Sequence, residues 1–338
     1  MSEAKVAKPK NPSKMKVVCL GAAMQDIFVP NSGAKAIGDF IALPVKMGAK
    51  IELPALEMTL GGGAANAAAT FAKSDYNTIF WGPVGLDFGS EFVGETLIKE
   101  NIDITYMDYN ERLPTGLSMI FLDKRGERTI LMHRGAGARF ENLDAKMIAN
   151  EKPDWLYMAG LGGNFRKIRE VMNACQKHGT RIFWNPSGTE LKKAAEVKSL
   201  LPKIDVFMVN REEAEKVWGE RDYLKIFKAA SAPNVLIITD ACRGSAARQF
   251  LPDGEQQFVR AHIYDAKMVD RTGAGDAFGS GFVAHFAAHD DLLKALKFAT
   301  ANSASVVQHV GGRDWVLDIN AKLKDLPMVV RKLKRGEQ

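Results

Sequence analysis

Asp270-Arg271-Thr272-Gly273-Ala274-Gly275-Asp276 runs without a break into Ala277-Phe278-Gly279-Ser280-Gly281-Phe282. Small residues let the backbone bend until consecutive N–H groups face one point. The helix predicted over Ala277–His289 adds the positive end of its dipole there. The stretch therefore reads as an anion hole. An Asp in a first helical turn is by itself an ordinary cap. Beside an anion hole, the Asp276 carboxylate can instead accept the proton of a hydroxyl that attacks a phosphoryl group.

Upstream of this run, short apolar segments alternate with amphipathic ones, the pattern of a parallel sheet with crossover helices. Strands are predicted at Lys16–Leu20, Thr78–Gly82, Trp155–Ala159, Arg181–Trp184, Val206–Val209 and Val235–Thr239. Helices are predicted at Glu91–Lys99, Phe165–Lys177, Leu191–Leu200, Glu212–Trp218 and Leu292–His309. Two stretches break the alternation. Ile37–Met58 carries apolar pieces punctuated by Gly and Pro, and Thr115–Arg134 reads as two strands around the turn Asp123-Lys124-Arg125-Gly126. Such pieces suit a small sheet covering one edge of the body, a lid.

Gly61-Gly62-Gly63-Ala64-Ala65-Asn66 is the second glycine-rich run. Asn66 stands where a dinucleotide fingerprint needs glycine, and Ala55–Leu60 is a poor match to a buried strand. The glycines let a polar ligand approach the backbone with the Asn66 amide beside it; a tight turn followed by a helix cap uses the same residues. No GxxxxGK[ST], HExxH, GxSxG or Cys/His metal cluster occurs, and the six histidines are scattered.

The chain has 338 residues, 46% hydrophobic and 25% charged, an ordinary globular composition. Its pI of 9.0 comes from its ends: residues 1–16 and 322–338 each carry +4, and the body between is slightly acidic. Solvated basic ends explain this better than a nucleic-acid face. No apolar run is long enough for a membrane span, and residues 1–16 lack the apolar core of a secretory signal. Cys19, Cys175 and Cys242 are far apart and odd in number, which fits reduced thiols in a cytoplasmic protein.

Taken together, the two glycine-rich runs resemble the fingerprints of the PfkB, or ribokinase-like, family of carbohydrate kinases. The GGxxxN region with Gly85 downstream and the DTGAGD-type run ending in Asp276 occur in the family's order, about 210 residues apart. The similarity extends from about Val17 to about Arg313. It implies an α/β fold: a three-layer αβα sandwich with a mostly parallel central sheet and a small β-sheet lid. It also implies transfer of the ATP γ-phosphoryl group to a hydroxyl, in most cases primary, of a sugar or sugar derivative, with a nucleoside as the alternative acceptor and a non-catalytic ligand-binding homologue as a third reading. Asp276 would be the general base, and the amides of Gly273, Ala274 and Gly275 would hold the developing charge. Asp26, Gly62, Gly63 and Asn66 match positions that bind the acceptor. Asn185, Asn210, Glu213, Thr239, Gly244 and Asn302 match the ATP side, with Glu213 organising Mg2+ through water. Asp270 and Thr272 match a monovalent cation site, for which K+ is the candidate.

The expected organisation is a basic arm at 1–15, a kinase domain at 16–321 with lid segments near 37–58 and 113–134, and a basic tail at 322–338. The expected partners are a small-molecule sugar or nucleoside and a second copy of the chain through the lid, with no membrane and no specific nucleic acid. Three substitutions depart from the family pattern: Arg271 in the DTGAGD run, Ala241 in the TxGxxG nucleotide loop and Asp75 in the first fingerprint. Gly160-Leu161-Gly162-Gly163-Asn164 lacks the acid that ribokinases carry there, which argues against ribose.

Overall fold

In the computed structural model, residues 10–30, 35–37, 40–42, 47–50, 52–53, 55–122 and 128–333 are described. The strands are β1 (Lys16–Leu20), β2 (Met24–Val29), β3 (Lys35–Ile37), β4 (Phe40–Ala42), β5 (Glu57–Gly61), β6 (Asn77–Gly85), β7 (Asp103–Asn110) and β8 (Gly116–Leu122). They continue as β9 (Arg128–His133), β10 (Trp155–Met158), β11 (Arg181–Trp184), β12 (Val206–Asn210), β13 (Val235–Thr239), β14 (Ser245–Phe250), β15 (Gln256–Ala261) and β16 (Met328–Leu333).

The large sheet is 10-stranded, in the order β16-β15-β14-β13-β12-β11-β10-β1-β6-β7. From β13 across to β7 neighbouring strands run parallel, while β14, β15 and β16 add on antiparallel. The parallel strands are apolar on both faces because helices cover both faces. In β1, Val17 and Cys19 pack into one core with the Gly63–Lys73, Ala274–His289 and Leu292–Val306 helices. Val18 and Leu20 pack into the other, with Phe165–His178, Ala194–Leu200 and Arg211–Trp218. That alternation is the physical content of three layers.

The second sheet is 4-stranded, in the order β5-β2-β8-β9, and β3 and β4 form a separate pair. Gly116–Leu122 and Arg128–His133 are the two strands expected in the second lid segment, whereas the turn Asp123–Gly126 lies outside the described residues. The lid gains a strand that composition did not suggest, β2, which pairs with both β5 and β8.

Three boundaries differ from the sequence reading. The helix expected over Leu191–Leu200 is two short ones, Gly188–Leu191 and Ala194–Leu200, interrupted at Lys192-Lys193. The stretch 322–338, expected as a solvated tail, contains β16, which pairs along the whole of β15. Its Val329-Val330 core supplies strand propensity that the surrounding lysines and arginines mask. At the other end, residues 1–9 lie outside the described residues, but the chain is docked from Lys10, whose N–H donates to the Ala288 carbonyl at 2.8 Å. Met15 is buried. Among the described residues no helix is long and apolar enough to cross a membrane.

Candidate active site

A cavity of about 480 Å³ opens between the lid and the carboxyl ends of the parallel strands, where ligands of open α/β sheets bind. Of the residues singled out in the sequence, it brings together Asp26, Gly62, Gly63, Asn66, Asn185, Glu213, Thr272, Gly273 and Asp276.

Asp276 is delivered by the first turn of the Ala274–His289 helix. Gly273 precedes it with φ 72°, a left-handed conformation, and a side chain there would collide with Gly312 of the facing turn. The amides of Gly273 and Gly275 have no backbone acceptor among the described residues, as expected at a helix start, while the Ala274 N–H reaches back to the Arg271 carbonyl at 3.3 Å. Asp270 is fully buried and braces this turn. Its Oδ1 accepts from the Thr272 N–H at 3.0 Å and hydroxyl at 2.8 Å, and its Oδ2 accepts from the Gly311 N–H at 3.3 Å.

Asn66 lies in the first turn of the Gly63–Lys73 helix, and its Nδ2 donates to Asp276 Oδ2 at 2.9 Å. Its Oδ1 is buried and unpartnered. One amide thus orients the carboxylate and leaves its own oxygen without a partner beside the cavity. Burial pushes the Asp276 carboxyl up from its ordinary value, with the Asn66 contact opposing.

Asp26 enters from β2 and is only 7% exposed. Its carboxylate presses against the backbone of Gly61, where any side chain would collide with it. Burial, with the charges of Asp270 and Asp276 adding and the Ser118 hydroxyl opposing, raises its carboxyl to about 6. Ser118 is its cross-strand neighbour on β8.

On the other wall, Asn185 lines the cavity, and its Nδ2 donates to the Met208 carbonyl at 2.9 Å. Asn210 and Glu213 form a reciprocal capping box at the start of the Arg211–Trp218 helix, with Asn210 Oδ1 taking the Glu213 N–H and Glu213 Oε2 taking the Asn210 N–H. Asn210 itself does not line the cavity. Its register partner on β13 is Thr239, so the carboxyl edge continues from the cavity to the Thr239–Gly244 loop. Ala241 of that loop holds φ 45°, the left-handed conformation expected of the glycine it replaces. Asp240 gathers Arg243, Arg211 and Tyr223 there, and the Arg243 guanidinium holds its carboxyl down at about 2.

Asn302 is not part of the site. It is fully buried, its Nδ2 donates to the Ala277 carbonyl and the Thr70 hydroxyl, and its Oδ1 accepts from the Leu317 N–H. It ties three segments together beneath the Ala274–His289 helix. Its expected contact with ATP is withdrawn because the whole amide is spent inside the core. Arg271 is exposed, and its Nε donates to Met268 Sδ at 2.9 Å.

The sequence reading missed Glu190, Ser118 and Arg134. Buried Glu190 takes the N–H groups of Leu161 and Gly163, each at 2.8 Å, and the Ser187 N–H at 2.9 Å. It thereby fixes the Gly160–Asn164 wall against the Asn185–Ser187 turn. The signal was present as the Ser-x-x-Glu capping box Ser187–Glu190. Ser118 and Arg134 line the cavity from the lid.

Among the described residues no three His, Cys, Asp or Glu side chains gather to hold a metal. A single carboxylate with one oxygen already engaged, Glu213, suits an ion held chiefly by phosphates and water, as Mg2+ is.

Residues 14–318 match the model of the pfkB family carbohydrate kinases. A ribokinase of Arabidopsis thaliana is 26% identical over 322 residues, which cover 91% of this chain and 80% of that protein. Among solved structures, the nucleoside kinase of Burkholderia thailandensis in complex with inosine superposes with TM-score 0.72 at 19% identity, covering 90% of this chain and 95% of that one. An E. coli chain in complex with ATP and Mg2+ gives 0.72 at 16% identity, covering 90% and 96%.

Proposed function

As a member of the pfkB family of carbohydrate kinases the chain is a phosphotransferase with an alcohol acceptor, and we propose that it moves the ATP γ-phosphoryl group to a hydroxyl of a sugar or sugar derivative with Asp276 as general base. The observation that carries this reading is Asp276 at the floor of the cavity, beside an uncapped helix start and oriented by Asn66.

The acceptor hydroxyl gives its proton to Asp276 as its oxygen bonds to the γ-phosphorus. The bond from phosphorus to the β–γ bridging oxygen breaks, and ADP leaves. The Gly273 and Gly275 amides face the charge on the transferred group, where fixed donors contribute most. Asp26 and Asn66 Oδ1 hold acceptor hydroxyls. Asn185, Asn210, Thr239 and Gly244 would line the path of ATP, and Glu213 would hold Mg2+, which would supply charge neutralisation to the phosphates. Asp270 and Thr272 would hold a monovalent ion such as K+.

A nucleoside is the second acceptor reading, favoured by Met24, Ile120, Ile130 and Met132 along one side of the cavity, which would cover an apolar ring. A cytoplasmic location suits ATP as donor and three free cysteines. A second copy is proposed on the outer lid face, where Met58, Ile27, Met119 and Leu131 form a cross-strand row.

ATP consumption measured across pentoses, hexoses, sugar acids and nucleosides, with wild type and Asp276→Asn, tests the reading. The substitution should lower kcat about 10²–10⁴-fold with ATP affinity retained. A variant within tenfold of wild type would remove Asp276 as base. A wild type that binds ADP yet turns over no acceptor would mark a non-catalytic homologue.

A further inference from the structure

Ile130 and Met132 of β9 line the cavity, and so does Arg134, the residue that directly follows the strand. The pairing of Leu117 with His133 sets Arg134 opposite Gly116, which pairs with Met24. The cavity-facing side of the lid therefore ends in a guanidinium at the Met24 end, with Asp26 and Ser118 one row in and Ile120 and Ile130 beyond.

Arg134 is the one cationic side chain among the described residues lining this cavity, which holds three carboxylates, Asp26, Glu213 and Asp276. It is exposed, and no hydrogen bond or ion pair of its guanidinium is found among the described residues, although the nearby Arg139 does pair, with Glu141. A guanidinium offers a planar fork of donors that matches carboxylate and phosphate oxygens. Across the cavity, Gly160 and Gly162 leave the wall without side-chain charge. Asp26 and Asp276 serve hydroxyls on one side, and among the described residues no protein group pairs with the guanidinium.

We propose that Arg134 binds an anionic group on the acceptor, so that the preferred substrate is a sugar acid or a sugar phosphate rather than a neutral sugar or nucleoside. This rests on the kinase reading and names the substrate class of the same cavity. Carboxylate and phosphate share the chemistry that a guanidinium recognises. The hydroxyl to be phosphorylated lies at Asp276, and the anion lies under the lid, away from the transferred phosphoryl group and its charge.

The test is an acceptor panel in matched sets: neutral aldoses and ketoses, the corresponding aldonates, uronates and keto-deoxy acids, the corresponding monophosphates, and nucleosides. It is run on wild type, Arg134→Ala and Arg134→Lys. Wild type should prefer one anionic set at least tenfold in kcat/KM over its neutral counterpart, and which set wins separates carboxylate from phosphate. Arg134→Ala should lower that kcat/KM by about 10–100-fold, mainly through the acceptor KM, with the KM for ATP unchanged. Arg134→Lys should recover part of it, because charge is kept and the fork is lost.

Equal use of neutral and anionic acceptors by wild type, or a preference that survives Arg134→Ala, overturns the proposal while leaving the kinase intact. A kcat loss in Arg134→Ala that is the same for every acceptor overturns it too, and moves Arg134 to the transferred phosphoryl group. ADP binding without turnover of any acceptor overturns both this and the kinase reading.

Discussion

Asp26 carries opposed demands in one side chain. The proposed contact with acceptor hydroxyls is strongest when Asp26 is ionised, yet its site disfavours the charge and lifts it to about 6. The folded state therefore holds the Asp26 proton more tightly than the unfolded chain does. Ionising it costs stability, negligibly below about pH 4, increasingly between about 4 and 6, and fully above. Asp26→Asn should then be more stable than wild type by about 1–3 kcal/mol at pH 8, with roughly half that gap at pH 5, read by urea unfolding at both. The same variant should lose about 2–4 kcal/mol in acceptor kcat/KM while the KM for ATP stays put. An Asp26→Asn enzyme that is less stable at pH 8 and kinetically normal would make Asp26 a structural cap. Wild-type acceptor KM should rise as pH falls through 6, because the neutral acid is a weaker acceptor than the carboxylate.

Among the elements, β16 is the one whose role its composition hides. It is an edge strand with Val329 and Val330 half exposed, and it covers the outer edge of β15, where Phe258 and Val259 are buried. Truncation after Leu333 should leave stability and activity unchanged. Truncation before Met328 should lower Tm by several degrees and promote aggregation through the bared β15 edge, with kcat of the soluble fraction preserved. Differential scanning calorimetry and light scattering on the two truncations read this. Equal behaviour of the two would mean that β16 adds nothing. The lid shows a comparable asymmetry: β8 and β9 were legible as two pieces around a turn, whereas β2 was not, because Gln25 and Asp26 break up its short apolar run.

At the scale of the whole molecule, the parallel part of the sheet was legible because strands covered on both faces must be apolar throughout. Val235-Leu236-Ile237-Ile238 is buried at every position. The antiparallel end was not: Ser245–Phe250 and Gln256–Ala261 carry Arg248 and Arg260 and four Ser or Gln residues and look like surface, although Arg248 is fully buried against the Ala230 and Pro233 carbonyls. The glycine-rich runs announced the site because their backbone needs are visible in single residues. Asn302 misled because an amide that stitches a core and an amide that meets a ligand are the same residue type. The apolar row on the outer lid face makes an assembly prediction. The full chain should run as a dimer in light scattering, and Met119→Lys with Leu131→Lys should return it to monomers that still fold. A wild-type monomer at micromolar concentration would leave that face as plain surface.

The hydrogen bond from Asn66 to Asp276 joins side chains 210 residues apart, and Thr70 reaches Ser280 and Asn302 over similar spans. A ribosome adding about 5–20 residues per second makes Asn66 about 10–40 s before Asp276 exists. Throughout that interval the nascent chain has Asp26 and Asn66, the proposed acceptor contacts, without Asp276. It also presents the alanine-rich Gly63–Lys73 helix, with Ala64, Ala68 and Phe71, without the Ala274–His289 helix that will bury it. The unfinished protein is therefore both inert and adhesive on this reading: without Asp276 the proposed transfer cannot start, and the apolar helix face stays bare until the last quarter of the chain is translated.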